Sequence, residues 1–274
     1  MSLVDTVGDI LWGTRAYDYG SRIFKSAVGA YTRIEPSETI TVGDVSATFR
    51  PSSFVEWSNV HTRIWHERRV LEHLLADVRT DDVFFDIGAN IGIYSCLVGR
   101  LLDGGAVVPF EPYPPNVRRL RVNLAANGLS PTIIERPLAA TAGDATLSVH
   151  DTVGPGAQHA TLGRGYHTSP IEARLDVESV TGDALVADGE IPGPTIVKID
   201  VQGTEDDVLS GLERALGSDA CRRVYVETHD NLDDIARRLG TMGFAVETIP
   251  VDRPGKDPTV VGHAKRGGHN ATAS

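Results

Sequence analysis

Val83-Phe-Phe-Asp-Ile-Gly-Ala-Asn-Ile-Gly92 changes character halfway along. Its first half is apolar and ends in Asp86, as a strand buried in a sheet does. Its second half is a tight turn bounded by Gly88 and Gly92. Residues 93–102 then carry apolar side chains at helical spacing. Strand, glycine turn and helix together open a doubly wound α/β sheet. Ligands of such sheets sit outside the carboxyl ends of the strands. A glycine there lets backbone N–H groups approach a ligand with no Cβ between.

The next strand narrows the ligand. Ala106-Val-Val-Pro-Phe-Glu111 is a second apolar run ending in an acid, and Pro112 follows it. A carboxylate at that strand tip accepts hydrogen bonds from both ribose hydroxyls of a nucleoside. Nicotinamide enzymes use the same device, so glycine spacing has to separate the two cofactors. A dinucleotide turn needs Gly-x-Gly-x-x-Gly to bring backbone against a pyrophosphate at a helix N-terminus. Here Asn90 stands between the glycines, and Gly92 falls one residue early for the third. Asp86 directs a negative charge at the turn, which repels a pyrophosphate and suits a cation. S-adenosylmethionine carries a sulfonium and an ammonium and no phosphate. Asp86, Gly88, Asn90, Gly92, Glu111 and Pro112 therefore read as its binding residues. A nicotinamide-dependent (NAD) oxidoreductase is the alternative, disfavoured by the spacing.

Four stretches then occur in one order: Phe85-Asp-Ile-Gly-Ala-Asn-Ile-Gly92, Phe110-Glu-Pro112, Asn123-Leu-Ala-Ala-Asn-Gly128 and Lys198-Ile-Asp-Val-Gln-Gly-Thr-Glu205. They resemble the FkbM-type methyltransferases, a class I S-adenosylmethionine-dependent group. The resemblance runs from about residue 67 to residue 249. It implies an α/β fold with a mostly parallel, seven-stranded, Rossmann-like sheet. It also implies methyl transfer to a hydroxyl or carboxyl oxygen of a sugar, glycolipid or secondary metabolite. One position departs from the pattern, since the family usually has Glu where this chain has Gln202. That departure keeps open a binding protein that retains the fold and not the reaction.

The totals bound the rest. The 274 residues suffice for one large domain with an appendage, and 41% hydrophobic residues support a core. No apolar run is long enough to span a membrane, and the N-terminus lacks the pattern of a signal peptide. Cys96 and Cys221 read as separate buried thiols, and a reducing cytoplasm is the expected compartment. The net charge is −11, and only four of the 26 basic residues are lysines. That acid-rich, lysine-poor composition is of halophilic type, and it argues against nucleic acid as a partner. A small-molecule or glycan substrate is expected instead.

Outward from the core, residues 1–66 read as an N-terminal extension, 67–264 as the methyltransferase domain and 265–274 as a flexible tail. Within the extension, residues 2–31 suggest two helices. Residues 38–42 and 45–49 flank Gly43-Asp44 as a hairpin does. Residues 57–76 read as one helix. In the domain, strands are expected at 83–86, 106–111, 132–135, 195–200, 223–227, 244–249 and 259–261, with extra strands at 145–149 and 173–177. The glycine-containing stretch 151–170, with His159 and His167, reads as a loop over the substrate or a disordered segment.

Methyl transfer is an in-line displacement at the sulfonium, so the protein has to align the acceptor and remove its proton. Asp200 and His229 are the candidate catalytic residues, at the ends of adjacent strands. Lys198 reads as structural, Glu227 as orienting the substrate, and Asp183 has no assigned role. The histidines are scattered and no cysteines lie at ligand spacing, so no metal site is expected and a metal-independent O-methyltransferase follows.

The charge balance sets an expectation for stability. Excess carboxylates repel at low ionic strength and are screened at high. The melting temperature should rise between low and molar KCl; a flat or falling curve would show that surface repulsion is not a significant term.

Overall fold

The computed structural model describes residues 26–28, 30, 37–150, 153–157, 160–162, 169–253 and 255–264. The two expected N-terminal helices lie almost wholly outside these residues, as do the tail from residue 265, His159 and His167.

A six-stranded sheet forms the centre. Strands β3 (Val83–Ile87), β4 (Ala106–Phe110), β8 (Ile196–Ile199) and β9 (Arg223–Val226) run parallel, while β11 (Thr259–Ala264) inserts antiparallel between β9 and β10 (Phe244–Ile249). The order across the sheet is β10-β11-β9-β8-β3-β4. Strands covered on both faces must be largely apolar, which is why β3, β4 and β8 are short hydrophobic runs, interrupted by the buried Asp86 and Lys198. Successive residues feed opposite faces. Phe84, Ile196, Tyr225 and Val261 join one apolar cluster, with Leu71, Leu74, Leu97 and Leu120. Phe85, Val197, Val224 and Val260 join the other, with Leu185, Leu209, Leu212 and Leu239.

Helices cover both faces. α1 (Phe54–His66), α2 (Arg68–Asp77), α3 (Ile93–Gly99) and α4 (Pro114–Ala126) precede the middle of the chain; α5 (Gly182–Ala187), α6 (Glu205–Gly211), α7 (Glu213–Leu216) and α8 (Leu232–Thr241) follow it. The single helix expected over 57–76 is two. Glu67 breaks it at φ −101°, ψ 15° and turns its carboxylate inward to accept from Tyr94 Oη at 2.7 Å. Likewise Leu212 separates α6 from α7. The hairpin β1 (Glu38–Val42) and β2 (Val45–Phe49) packs Val42, Ala47 and Phe49 into the first cluster. Asn127 secures it on α4 by bonding both the N–H and the C=O of Thr48 at 2.8 Å.

The seventh strand does not form. Over the expected 132–135, only Ile134 pairs, through a parallel bridge to Phe110. Pro131 and Pro137 flank it, and proline supplies no ladder donor. The chain instead builds a separate antiparallel sheet, β6-β5-β7, from β5 (Gly143–His150), β6 (Ala160–Leu162) and β7 (Ile171–Ser179). Its apolar face holds Leu147, Val149 and Ala157 against Tyr113. Among the described residues no helix is long and apolar enough to cross a membrane. Both cysteines are buried free thiols.

At the end of the sheet away from the glycine turn, Arg222 bonds Asp77 Oδ2 and Asp82 Oδ2, each at 2.5 Å, and the Asp77 carbonyl at 2.6 Å. Asp82 is 3% exposed. Removing the guanidinium leaves that carboxylate buried without its counter-charge, which costs about 3–5 kcal/mol. Arg222→Ala should lose stability on that scale in urea unfolding, with little change in the denaturant slope.

Candidate active site

The glycine turn, the tip of β4 and the ends of β8 and β9 meet at one edge of the sheet. Gly88, Asn90 and Gly92 all have positive φ, at 79°, 52° and 89°. Gly88 is obligatory because a Cβ would lie 1.9 Å from the carbonyl oxygen of Asp200. Gly92 is favoured by its positive φ, and a Cβ there would meet Leu120 Cδ1 of α4 at 2.5 Å.

A partly open pocket lies beside the turn. Gly88, Asn90, Glu111, Pro112, Asp200 and Gln202 line its polar side; Phe110, Leu138, Leu147 and Leu162 line its apolar side. The β6-β5-β7 sheet thus supplies a wall. Residues 153–157 are fastened beside it. Asn90 and Asn116 both donate to the Ala157 carbonyl, at 2.8 and 3.0 Å, and Gly156 N–H donates to Asn116 Oδ1 at 2.8 Å.

Glu111 is 5% exposed. Its Oε2 accepts from Asn90 N–H at 2.7 Å and its Oε1 from Tyr113 N–H at 2.9 Å. Burial pushes its carboxyl up to about 7, against the pull of those two amides. Each oxygen keeps a further lone pair for a ligand hydroxyl.

Asp86 is placed differently from its sequence reading. It is 1% exposed, and its Oδ2 accepts from Ser95 N–H at 3.0 Å and Ser95 Oγ at 2.6 Å, which ties β3 to the start of α3. Its Oδ1 lies 3.7 Å from Lys198 Nζ. Its charge is spent inside the protein and does not face the cavity.

The acceptor end is a dense ionic cluster. Asp200 Oδ2 takes Arg63 Nη1, from α1, and Lys198 Nζ at 3.2 Å. Burial opposes its charge, but Arg63, Lys198, Lys256 and His229 hold it well below the usual carboxylate range. Those partners weaken Asp200 as a base and fix the direction of its carboxylate. His229 Nδ1 bonds Glu205 Oε1 at 2.6 Å, and the ring's other nitrogen lies 3.9 Å from Glu227 Oε1. Burial lowers the pKa of His229, yet the Glu205 bond, Asp200 and Glu227 raise it above the ordinary value. Lys256 Nζ bonds Glu227 Oε1. Ligand atoms of Asp200, Glu227 and His229 all lie within 4.8 Å of one another, a grouping that their scattered sequence positions hid.

Arg63 and Lys256 were missed from the sequence, while Glu205 closes the fourth motif. Arg63 is separated from Asp200 by 137 positions, and its only local signal is the i,i+4 partner Glu67. Asp183 proves structural, since it accepts from the N–H groups of Arg214 and Ala215 at the start of α7.

The family model described as "Methyltransferase FkbM domain" matches residues 86–247. The hexuronic acid methyltransferase AglP of Haloferax volcanii is 31% identical over 189 residues, covering 68% of this chain and 73% of that protein. The 31-O-demethyl-FK506 methyltransferase FkbM of Streptomyces tacrolimicus is 29% identical over 213 residues, covering 68% and 81%. A crystal structure of a methyltransferase FkbM from Methylobacillus flagellatus has a TM-score of 0.46 at 16% identity, covering 69% of this chain and 45% of that one. The chain belongs to the FkbM methyltransferase family.

Glu111 yields a pH expectation. Its folded pKa, about 7, lies above the ordinary 4.5, so the folded state binds the extra proton. That contribution is fully present below pH 4.5 and is lost as pH rises through 7. Urea midpoints of the native protein should therefore decline across this window relative to Glu111→Gln; parallel profiles would place the titration elsewhere.

Proposed function

We propose that this protein is an S-adenosylmethionine-dependent O-methyltransferase whose acceptor is a hydroxyl or carboxyl of a sugar, in the manner of a hexuronic acid. The observation that carries the reading is the cavity itself. It joins a glycine turn, a strand-tip carboxylate and an apolar wall on one side to an ionic cluster on the other. The named activity of the Haloferax relative supports the sugar acceptor.

The donor fits these residues. Glu111 would receive the ribose hydroxyls through its remaining lone pairs, the backbone at Gly88 and Asn90 would border the amino-acid end, and Leu138, Leu147 and Leu162 would cover the base. Asp86 contributes indirectly, by holding the turn. The donor supplies the electrophilic methyl group. The chain aligns the acceptor oxygen behind it, and such alignment contributes up to about 7–11 kcal/mol. Arg63 and Lys198 hold the Asp200 carboxylate and lower its basicity, so acceptor activation is assigned to His229 and the carboxylates around it. Gln202 lines the cavity where the family usually has Glu, which leaves the fourth motif one charge short at the donor's side.

Calorimetry with S-adenosylmethionine should give saturable binding, with NAD giving none. Glu111→Ala should weaken that binding by ~1.5–3 kcal/mol. His229→Ala should keep donor affinity and lose roughly 10²-fold or more in turnover on a hexuronic acid acceptor, read as a 14 Da gain by mass spectrometry. Binding of NAD instead, or donor affinity untouched by Glu111→Ala, would overturn the cofactor assignment.

A further inference from the structure

The acceptor end supports a more specific reading, which rests on the methyl-transfer proposal for its consequence but not for its test. Asp200 follows β8, Glu227 follows the neighbouring parallel strand β9, and His229 lies two residues beyond. Their ligand atoms converge within 4.8 Å. Asp200 is more than nine-tenths buried and divides its carboxylate. Oδ2 takes Arg63 and Lys198, while Oδ1 is buried with no hydrogen-bond partner. A buried acceptor left in that state is costly unless something outside the chain meets it. Behind the histidine, Glu205 is fully buried and holds Nδ1 at 2.6 Å, which sets the ring with Nε2 on the Glu227 side. A carboxylate on the far nitrogen is how ligating imidazoles are oriented.

We propose that Asp200, Glu227 and His229 bind one divalent cation of the Mn²⁺ and Mg²⁺ class. Two carboxylates and one imidazole, without a thiolate, form a hard-to-borderline donor set suited to such ions. Lys256 supplies positive charge at this point now, through Glu227 Oε1, and its side chain is 19% exposed on the loop between β10 and β11. The cation displaces that ammonium, while Arg63 keeps Oδ2 of Asp200. Its use is as a Lewis acid. An acceptor hydroxyl bound to it releases its proton to water at a lower pH. The alkoxide electron pair then forms the O–CH₃ bond as the S–CH₃ bond breaks, and the pair of the broken S–CH₃ bond stays on sulfur, leaving a neutral thioether.

The test uses chelator-treated full-length protein and Mn²⁺ alone, with free Mn²⁺ read by electron paramagnetic resonance. One saturable site per chain is expected. Glu227→Gln and His229→Ala should each weaken it at least tenfold, with thermal melts confirming that both fold. Lys256→Ala removes the competing ammonium and, with its fold also confirmed by thermal melt, should tighten Mn²⁺ binding several-fold. No saturable binding in the native protein, a site unmoved by Glu227→Gln, or Lys256→Ala binding no more tightly would each overturn the proposal. Calorimetry with S-adenosylmethionine on the same sample separates the two readings. Donor binding without a Mn²⁺ site sinks the cation and leaves methyl transfer standing; a Mn²⁺ site without donor binding does the reverse.

Discussion

The buried carboxylate of Asp200 is the constraint on which the site depends. It sits at the end of a parallel strand, where its backbone carbonyl presses on Gly88 and its side chain holds Arg63 and Lys198. Charges taken from water remain charged only when their partners are close and fixed. Arg63 is fixed by α1, so a helix from early in the chain becomes a structural part of the acceptor end. Lys198 is fixed between Asp86, Asp200 and the face of Tyr94, whose ring centroid lies 4.6 Å from Nζ. Tyr94 in turn donates to Glu67. The network therefore runs from the glycine strand through the sheet to the α1–α2 junction, and loosening any member exposes the others to an uncompensated charge.

Most of the sheet was legible because strands covered on both faces have no choice but to be largely apolar. Residues 83–87, 106–110 and 196–199 are such runs, and Glu111 and Asp200, just past the second and third, line the cavity. The reading failed where the same apolar pattern at 132–135 lacked donors on either side. It failed again at Asp86, for a geometric reason. Asp86 lies one residue short of the strand end and shares a face with Phe84, so its side chain turns beneath α3 and not off the tip. Period-two alternation was present in the sequence; the exact end of the strand was not.

The candidate site was legible in half. Gly88, Asn90, Glu111 and Pro112 are contiguous with the motifs that announce them, and all four border the cavity. Arg63 and Lys256 carry no local signature of their role here, because a salt bridge is a statement about two distant positions at once. Chemistry at the end of one strand can be read from one segment. Chemistry that depends on neighbouring strands and a loop far along the chain becomes visible only when the topology brings them together.

The bridge that replaces a seventh strand bears on how these molecules behave when concentrated. A parallel sheet that stops at β4 presents an open margin to which extended segments of other chains can anneal. Here the margin is chemically blunt. The carbonyl of Pro109 points outward to Ile134, so the missing proline N–H belongs to that same outer side. Pro131 and Pro137 then bracket the one bridging residue. An incoming strand would find gaps where it needs donors, so the truncation that shortens the sheet also keeps neighbouring copies from continuing it.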